Sequence, residues 1–222
     1  MKIPGKRSVF AAGLCAITAA VCIGLYLVHR NHAPGIYGRN LEFRLAAFNT
    51  EHVDPFSRAP EGFDVFAGYQ AREIAASGVA PAGFKWLPLS KFLLIQGGGV
   101  QPRGITCVKD GRDYLLVADQ PAMILTHAGN APRWGVKSIK MTATYDFGPV
   151  VKAVQIDLDY PAARILRQFT QKYTGHSVAV VVDGQVIVNE GFLGPFKGNV
   201  LGFSFPEGEE AEAEKLRDSL MK

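Results

Sequence analysis

Residues 150–216 of this chain read VVKAVQIDLDYPAARILRQFTQKYTGHSVAVVVDGQVIVNEGFLGPFKGNVLGFSFPEGEEAEAEKL. From Val154 to Asp159 apolar and polar residues alternate strictly, which predicts a strand with one face in water. Pro161 then suits the first turn of a helix. Apolar residues recur after it at helical spacing, as Ala162, Leu166, Phe169 and Tyr173. The stretch therefore begins with a strand that leads into an amphipathic helix.

Three more strands and a second helix are predicted in the rest of this stretch. Residues 178–182 (VAVVV) are apolar throughout and predict a buried strand, which the Asp183-Gly184 turn connects to the next strand as a hairpin. Residues 199–205 predict a further strand, and residues 209–220 predict a helix with early acidic and late basic residues. The order β-α-β-β-β-α indicates an α+β fold, with helices on one face of an antiparallel-rich sheet.

Shorter elements are predicted upstream of residue 150. Their alternating or apolar patterns predict strands at residues 41–45, 91–95, 104–108 and 113–118. Asp110-Gly111 is the signal of a hairpin turn between the last two strands. Residues 69–77 predict a short helix that Gly78 ends, while residues 51–67 and 121–134 are expected to be connections.

A long apolar stretch near the N-terminus predicts a membrane anchor. Residues 9–28 (VFAAGLCAITAAVCIGLYLV) contain no charge, and about 20 helical residues span the hydrocarbon core of a bilayer. Lys2, Lys6 and Arg7 precede this stretch, which favours a cytoplasmic N-terminus. A cleaved signal peptide is the alternative, for which Thr18-Ala19-Ala20 offers only a weak cleavage site.

The anchor divides the chain into four parts. We expect residues 1–8 to be a cytoplasmic stub and residues 9–28 to be a single transmembrane helix. A polar linker rich in glycine and proline follows at residues 29–40. Residues 41–222 then form a domain outside the cytoplasm, so most of the chain is extracytoplasmic.

Composition and charge exclude several classes of protein. The 222 residues are 48% hydrophobic and 20% charged, which excludes a disordered chain. The net charge is +4, but Lys2, Lys6 and Arg7 account for most of it, leaving 21 basic against 20 acidic residues. Because these charges are scattered, we expect no nucleic-acid binding. Three cysteines are too few for a disulfide framework, and we expect Cys107 to be buried in a strand.

Candidate metal ligands in the sequence lack the partners that a site needs. His29 and His32 are three residues apart, but no third ligand accompanies them. Asp157 and Asp159 are expected on one strand face, where paired carboxylates bind calcium or transfer protons. No calcium-loop spacing surrounds them, so a solvated strand face is the simpler interpretation.

Candidate catalytic groups are also isolated. His127 and His176 lie in loops or at element ends, without a nucleophile elbow. Residues 97–99 are three glycines but lack the Lys-Ser/Thr pair of a phosphate loop. Trp86 and Trp134 are expected in the core rather than in a ligand cage. The residues therefore predict a non-catalytic domain without metal or cofactor, and they do not identify which residues bind a partner.

A run of short motifs in residues 150–220 carries a family resemblance. In chain order the motifs are VQIDL at 154–158, Phe169-Thr170, Gly175, the apolar strand at 178–182, DGQVI at 183–187, LGFSF at 201–205 and Glu209-Glu210-Ala211. The run resembles the C-terminal part of the first periplasmic, head-type domain of SecD, in the SecD/SecF protein-export family. Asn189-Glu190 stands where that family usually has Ala-Pro.

The resemblance implies a stand-alone head-type module on the periplasmic side of a bacterial cytoplasmic membrane. It does not imply the energy-coupled motor of SecD and SecF, since only one apolar stretch accompanies the domain. The function it implies is a SecD-like binding module, an accessory to protein export or to the handling of envelope proteins. Its expected partners are the membrane, through residues 9–28, and polypeptide or export machinery.

A second hypothesis gives the same fold another use, because a fold does not fix a function. The chain would then bind a small molecule or cell wall, or act as a structural envelope protein, with no export role. Its pocket is expected in the aromatic region at residues 83–101.

Overall fold

The computed structural model describes residues 37–52, 60–91, 104–127, 134–144 and 151–222. All of them lie in the unit Pro34–Lys222. The expected anchor at residues 9–28, the stub before it and most of the linker after it fall outside the described residues. Within these ranges, no helix is both long enough and apolar enough to span a bilayer.

The described chain contains more strands than helices. The α-helices are α1 (Gly68–Ser77), α2 (Tyr160–Lys172) and α3 (Glu210–Leu220), and single 3-10 turns lie at Thr50–His52 and Pro121–Met123. The strands are β1 (Leu41–Leu45), β2 (Phe48–Asn49), β3 (Val65–Phe66), β4 (Phe84–Pro88), β5 (Thr106–Lys109), β6 (Arg112–Ala118), β7 (Ile124–Leu125), β8 (Val136–Thr144), β9 (Val151–Leu158), β10 (Ser177–Val182), β11 (Gln185–Gly191) and β12 (Val200–Phe205).

The strands form four sheets within the ranges given above. Their orders are β11-β10-β1-β7, β12-β9-β8, β4-β6-β5 and β2-β3. The β2–β3 pair is parallel, and the other pairs are antiparallel. The fold is therefore α+β and rich in antiparallel pairing, as predicted, with the predicted order of elements in its last third.

The prediction of one sheet for that last third is wrong, because β9 and β12 belong to one sheet while β10 and β11 belong to another. Burial explains the division. Val178, Val180 and Val182 point into the larger hydrophobic core, whereas Ala179 and Val181 point into a smaller one on the opposite face. A strand that is buried on both faces needs cover on both sides, so β10 lies inside its sheet, between β1 and β11.

Strand β9 has the opposite character. Val154, Ile156 and Leu158 are fully buried, and α3 contacts all three strands of this sheet. Gln155 and Asp157 lie on the other face, which is partly exposed. The alternating pattern thus places β9 in a sheet with one wet face, as predicted.

Asp159 does not share that wet face with Asp157, which corrects the prediction of paired carboxylates. Asp159 follows the strand and is 1% exposed. Its Oδ1 accepts a hydrogen bond of 2.7 Å from the backbone N–H of Ala162, in the first turn of α2. The carboxylate is therefore the N-cap of that helix, which is a structural role.

Candidate functional site

A cleft of about 580 Å³ lies where the end of β4, the β5–β6 hairpin, the β10–β11 hairpin and α3 meet. The floor is apolar and consists of buried side chains of the core: Val182, Ile187, Phe205 and Leu216. The rim is charged, with residues of both signs: Lys91, Arg112, Asp113, Asp183, Glu212 and Lys215. The cleft is open to solvent, so a ligand that enters meets apolar surface below and charges at the sides.

Two hairpin turns of the same kind border the cleft. Asp110 and Gly111 have φ of 50° and 71°, and Asp183 and Gly184 have φ of 49° and 74°. Left-handed conformations at both central positions define the type I′ turn, which Asp-Gly favours. Both hairpins were predicted from this dipeptide, but their meeting at one cleft was not.

Backbone hydrogen bonds connect the chain after β4 to both hairpins. The N–H of Leu89 donates to the carbonyl of Asp113, at 2.9 Å, in the first hairpin. The N–H of Ser90 donates to the carbonyl of Val186, also at 2.9 Å, in the second. These bonds place Lys91 at the rim, in a segment that lies beside the strand beginning at Arg112.

The opposite side of the cleft is fixed by the carboxylate of Asp183. Its Oδ1 accepts a hydrogen bond of 2.6 Å from Asn40, and its Oδ2 accepts one from the hydroxyl of Ser219 on α3. Lys222 Nζ lies 3.8 Å away. Burial favours a raised pKa for Asp183, but these donors outweigh burial and lower that pKa. The β10–β11 turn is thereby bound to the C-terminal end of α3.

A buried pair of ionisable side chains lies outside the cleft. His176 Nδ1 and Asp64 Oδ2 are 2.7 Å apart, and their side chains are 8% and 1% exposed. Asp64 Oδ1 has no hydrogen-bond partner in the described part of the chain. Sequence reasoning considered His176 but missed Asp64, because the two are 112 residues apart. The pair joins the chain before β3 to the chain before β10.

The other sequence candidates occupy structural positions. His127 stacks on Trp134 with ring centroids 4.1 Å apart, and burial lowers the pKa of His127. Cys107 is buried in β5, as predicted, and burial raises the pKa of its thiol. Trp134 is 5% exposed and belongs to the core, as predicted.

Asp157 interacts with its neighbours in the sheet. Its carboxylate accepts hydrogen bonds from Ser138 at 2.5 Å, Gln155 at 2.9 Å and Lys140 at 3.0 Å. The hydrogen bond from Ser138 contributes most to lowering the pKa of Asp157 to about 2. A carboxylate held ionised in this way is a structural partner of the neighbouring strand.

Several candidates are not described. His29, His32 and the three glycines at residues 97–99 lie outside the described residues, as does nearly all of the strand predicted at 91–95. Across the ranges that the structure covers, no group of three or more His, Cys, Asp or Glu side chains is arranged to hold a metal ion. In the described part of the region 83–101, which is residues 83–91, the residues on the cleft are Pro88, Leu89, Ser90 and Lys91 rather than the aromatic Phe84 and Trp86.

Comparison with known proteins finds a distant likeness among solved structures. No protein-family model matches the chain, and no curated protein matches it. Among solved structures, the chain is distantly similar to SecDF, described as a membrane component that enhances protein export. The two share 16% sequence identity and a TM-score of 0.39 over 83% of this chain and 63% of that one. The chain therefore spans less than two thirds of the SecDF chain that it matches.

Proposed function

We propose that this chain is a non-catalytic binding module that holds a segment of polypeptide in its cleft. The observation that supports the proposal is the combination of an apolar floor with a charged rim of both signs. Apolar side chains of a bound segment would cover Val182, Ile187 and Leu216, while its polar groups remain at the rim. A polyanion such as nucleic acid instead needs a surface of one sign.

The sharper form of the proposal is an accessory role in protein export or in the handling of envelope proteins. It rests on the SecD-like motif run of residues 150–220. In this form residues 9–28 hold the chain in a bacterial cytoplasmic membrane, and the cleft faces the periplasm. The motor activity of SecD and SecF is not part of the proposal.

Photo-crosslinking in cells tests this function. A photoreactive amino acid replaces Gln185 or Lys215, which are exposed at the cleft, and Lys137, exposed on β8, provides the control position. We expect adducts with secreted precursors or translocase subunits from the two cleft positions and not from position 137. Equal adducts from all three positions would refute a cleft-specific partner. If the cleft positions form adducts only with one unrelated envelope protein, the export role is refuted.

A second candidate, binding of a small molecule or of cell wall, is favoured by one observation. The cleft volume of about 580 Å³ lies within the range of roughly 300–1,000 Å³ typical of small-molecule sites. Residues of the expected region 83–101 also contribute to its wall. Native mass spectrometry of the purified chain separates the candidates, because a co-purified ligand of fixed small mass supports this one. Loss of that ligand on replacing Gln185 with Trp would locate it in the cleft.

A further inference from the structure

The charges on the cleft rim are not equally available to a ligand. Asp183 is already bound by Asn40, Ser219 and Lys222. Glu212 lies 3.9 Å from Lys215, so these two charges partly compensate each other. At this side of the cleft the protein therefore satisfies most of its own charges.

The side that the β5–β6 hairpin forms differs. Lys91 and Arg112 are both exposed there, and neither forms an ion pair within the described ranges. The hairpin also carries Asp110 and Asp113 against Lys109, so three cationic groups stand against two anionic groups at this end. The backbone bond from Leu89 to Asp113 fixes the two chain segments beside each other. This end of the cleft therefore carries a net positive charge.

The far end carries no such excess of charge. A depression of about 450 Å³ adjoins the cleft there and shares Asp183, Lys215 and Ser219 with it. Its lining contains three carboxylates and two amino groups, but Asp218 is paired with Arg217 at 2.6 Å, so the charges nearly balance. The cleft is therefore asymmetric in charge, with a positive excess at the hairpin end and near balance at the end formed by α3.

On the basis of the proposed function, we infer that the cleft selects apolar polypeptide segments that carry an acidic side chain at one end. Lys91 and Arg112 bind that carboxylate, and the apolar residues of the segment lie on the floor between the two ends. The guanidinium of Arg112 offers two parallel N–H donors to a carboxylate, which Lys91 supplements with a point charge. The positive excess at one end of the cleft thus gives the bound segment a direction as well as a preference.

Fluorescence anisotropy with two labelled peptides tests the inference on the 222-residue chain. Both peptides have the sequence Gly-Ala-Leu-Val-Ile-Ala-Gly followed by Asp or Asn, and both end in an amide so that only one charge differs. We expect the Asp peptide to bind roughly 2- to 10-fold more tightly, as exposed ion pairs contribute modestly. The preference should shrink as salt is raised from about 0.05 M to about 0.5 M, because exposed charges are screened.

Charge reversal identifies the residues. Lys91→Glu with Arg112→Glu should abolish or invert the preference for Asp. Lys137→Glu with Lys197→Glu changes the net charge equally, at exposed positions away from the cleft, and should preserve the preference. A preference that survives the first pair, or that both pairs remove alike, overturns the inference.

The outcomes also separate this inference from the function on which it rests. If both peptides bind equally and Gln185→Trp weakens both, the polypeptide-binding function stands and the selection of acidic segments is overturned. Binding of neither peptide would overturn both. Displacement of the Asp peptide by octanoate as readily as by the unlabelled peptide would show that the cleft recognises an alkyl carboxylate, and would likewise overturn the inference.

Discussion

The buried pair of Asp64 and His176 shows how a single contact joins distant parts of this chain. Both side chains are almost fully enclosed, and one oxygen of Asp64 depends on His176 for its hydrogen bond. A buried carboxylate that loses its partner costs much more than the net contribution of the pair. His176→Ala should therefore lower the free energy of unfolding by about 3–5 kcal/mol, measured by urea denaturation.

A second variant shows whether that loss comes from the stranded charge. Asp64→Asn combined with His176→Ala removes the carboxylate as well, so its loss should be smaller than that of His176→Ala alone. Equal losses for the single and double variants would show that packing around His176, rather than its bond to Asp64, is what stabilises the fold.

Asp157 gives the stability of the domain a predictable pH dependence. The hydrogen bonds from Ser138, Gln155 and Lys140 lower the pKa of its carboxylate from 3.8 to about 2 in the folded state. The stabilisation is therefore complete above about pH 4 and is lost as the pH falls towards about 2. Asp157→Asn should cost about 1–2 kcal/mol at pH 7 and almost nothing at pH 2.

Urea denaturation at several pH values measures this difference. Asp110→Asn, at an exposed hairpin turn, removes a carboxylate without removing hydrogen bonds of this kind and serves as the control. If the difference in free energy of unfolding between the wild type and Asp157→Asn stays constant from pH 7 to about pH 2, the pH dependence does not come from Asp157.

At the scale of elements, the hairpin turns decide how the cleft is bordered. Gly184 has φ of 74°, a left-handed conformation, and nothing lies within 4 Å of a Cβ added to it. Gly202 in β12 has equally open space, but its φ is not left-handed. Gly184→Ala should therefore cost about 1–2 kcal/mol through backbone conformation alone. Gly202→Ala should be neutral or stabilise by up to about 1 kcal/mol.

Thermal unfolding of the two variants measures this difference. Neither added Cβ meets a neighbouring atom, so a loss of stability in Gly184→Ala alone comes from its left-handed backbone conformation. If both substitutions shift the midpoint in the same direction by the same amount, the β10–β11 turn does not have the left-handed geometry described here.

Elements with a local signal were predictable from the sequence, and elements without one were not. Strand β10, helix α2 and both Asp-Gly hairpins each show their pattern within a few residues. Strand β8 was missed because Lys137 lies at a register shift that interrupts the alternation, and β4 was missed because it ends at Pro88. The pairing of β1 with β10 joins residues 41–45 to residues 178–182, and no local pattern encodes it. The cleft combines such pairings, so its position was not predictable either.

At the scale of the whole molecule, residues 9–28 are predicted from their sequence to form a membrane anchor. A charged residue near the middle of a transmembrane helix costs roughly 2.5–3.5 kcal/mol during insertion. Thr18→Arg together with Ala19→Arg should therefore move the chain from the membrane fraction to the soluble fraction, measured by ultracentrifugation and immunoblotting. Arg30→Ala, beyond the apolar stretch, should leave the distribution unchanged. Recovery of the wild-type chain in the soluble fraction would contradict the anchor.

The two hydrophobic cores meet at β10, which makes this strand decisive for the whole domain. Val180 is 4% exposed, pairs with Phe43 and Val188, and belongs to the larger core, while its neighbours Ala179 and Val181 belong to the smaller one. Val180→Asp places an unpaired charge in the larger core, at a cost of several kcal/mol that approaches the total stability of a domain. Both cores should be lost together in one transition.

Circular dichroism of the 222-residue chain measures this loss. Val108→Asp is the matched control, because Val108 also lies in a strand but is 69% exposed. We expect Val180→Asp to be unfolded at 25 °C and Val108→Asp to melt close to the wild type, since exposed substitutions usually change stability by less than about 0.5 kcal/mol. A Val180→Asp variant that keeps the wild-type melting temperature would show that β10 does not hold the two cores together, and the cleft floor at Val182 and Ile187 would then lack the support assigned to it.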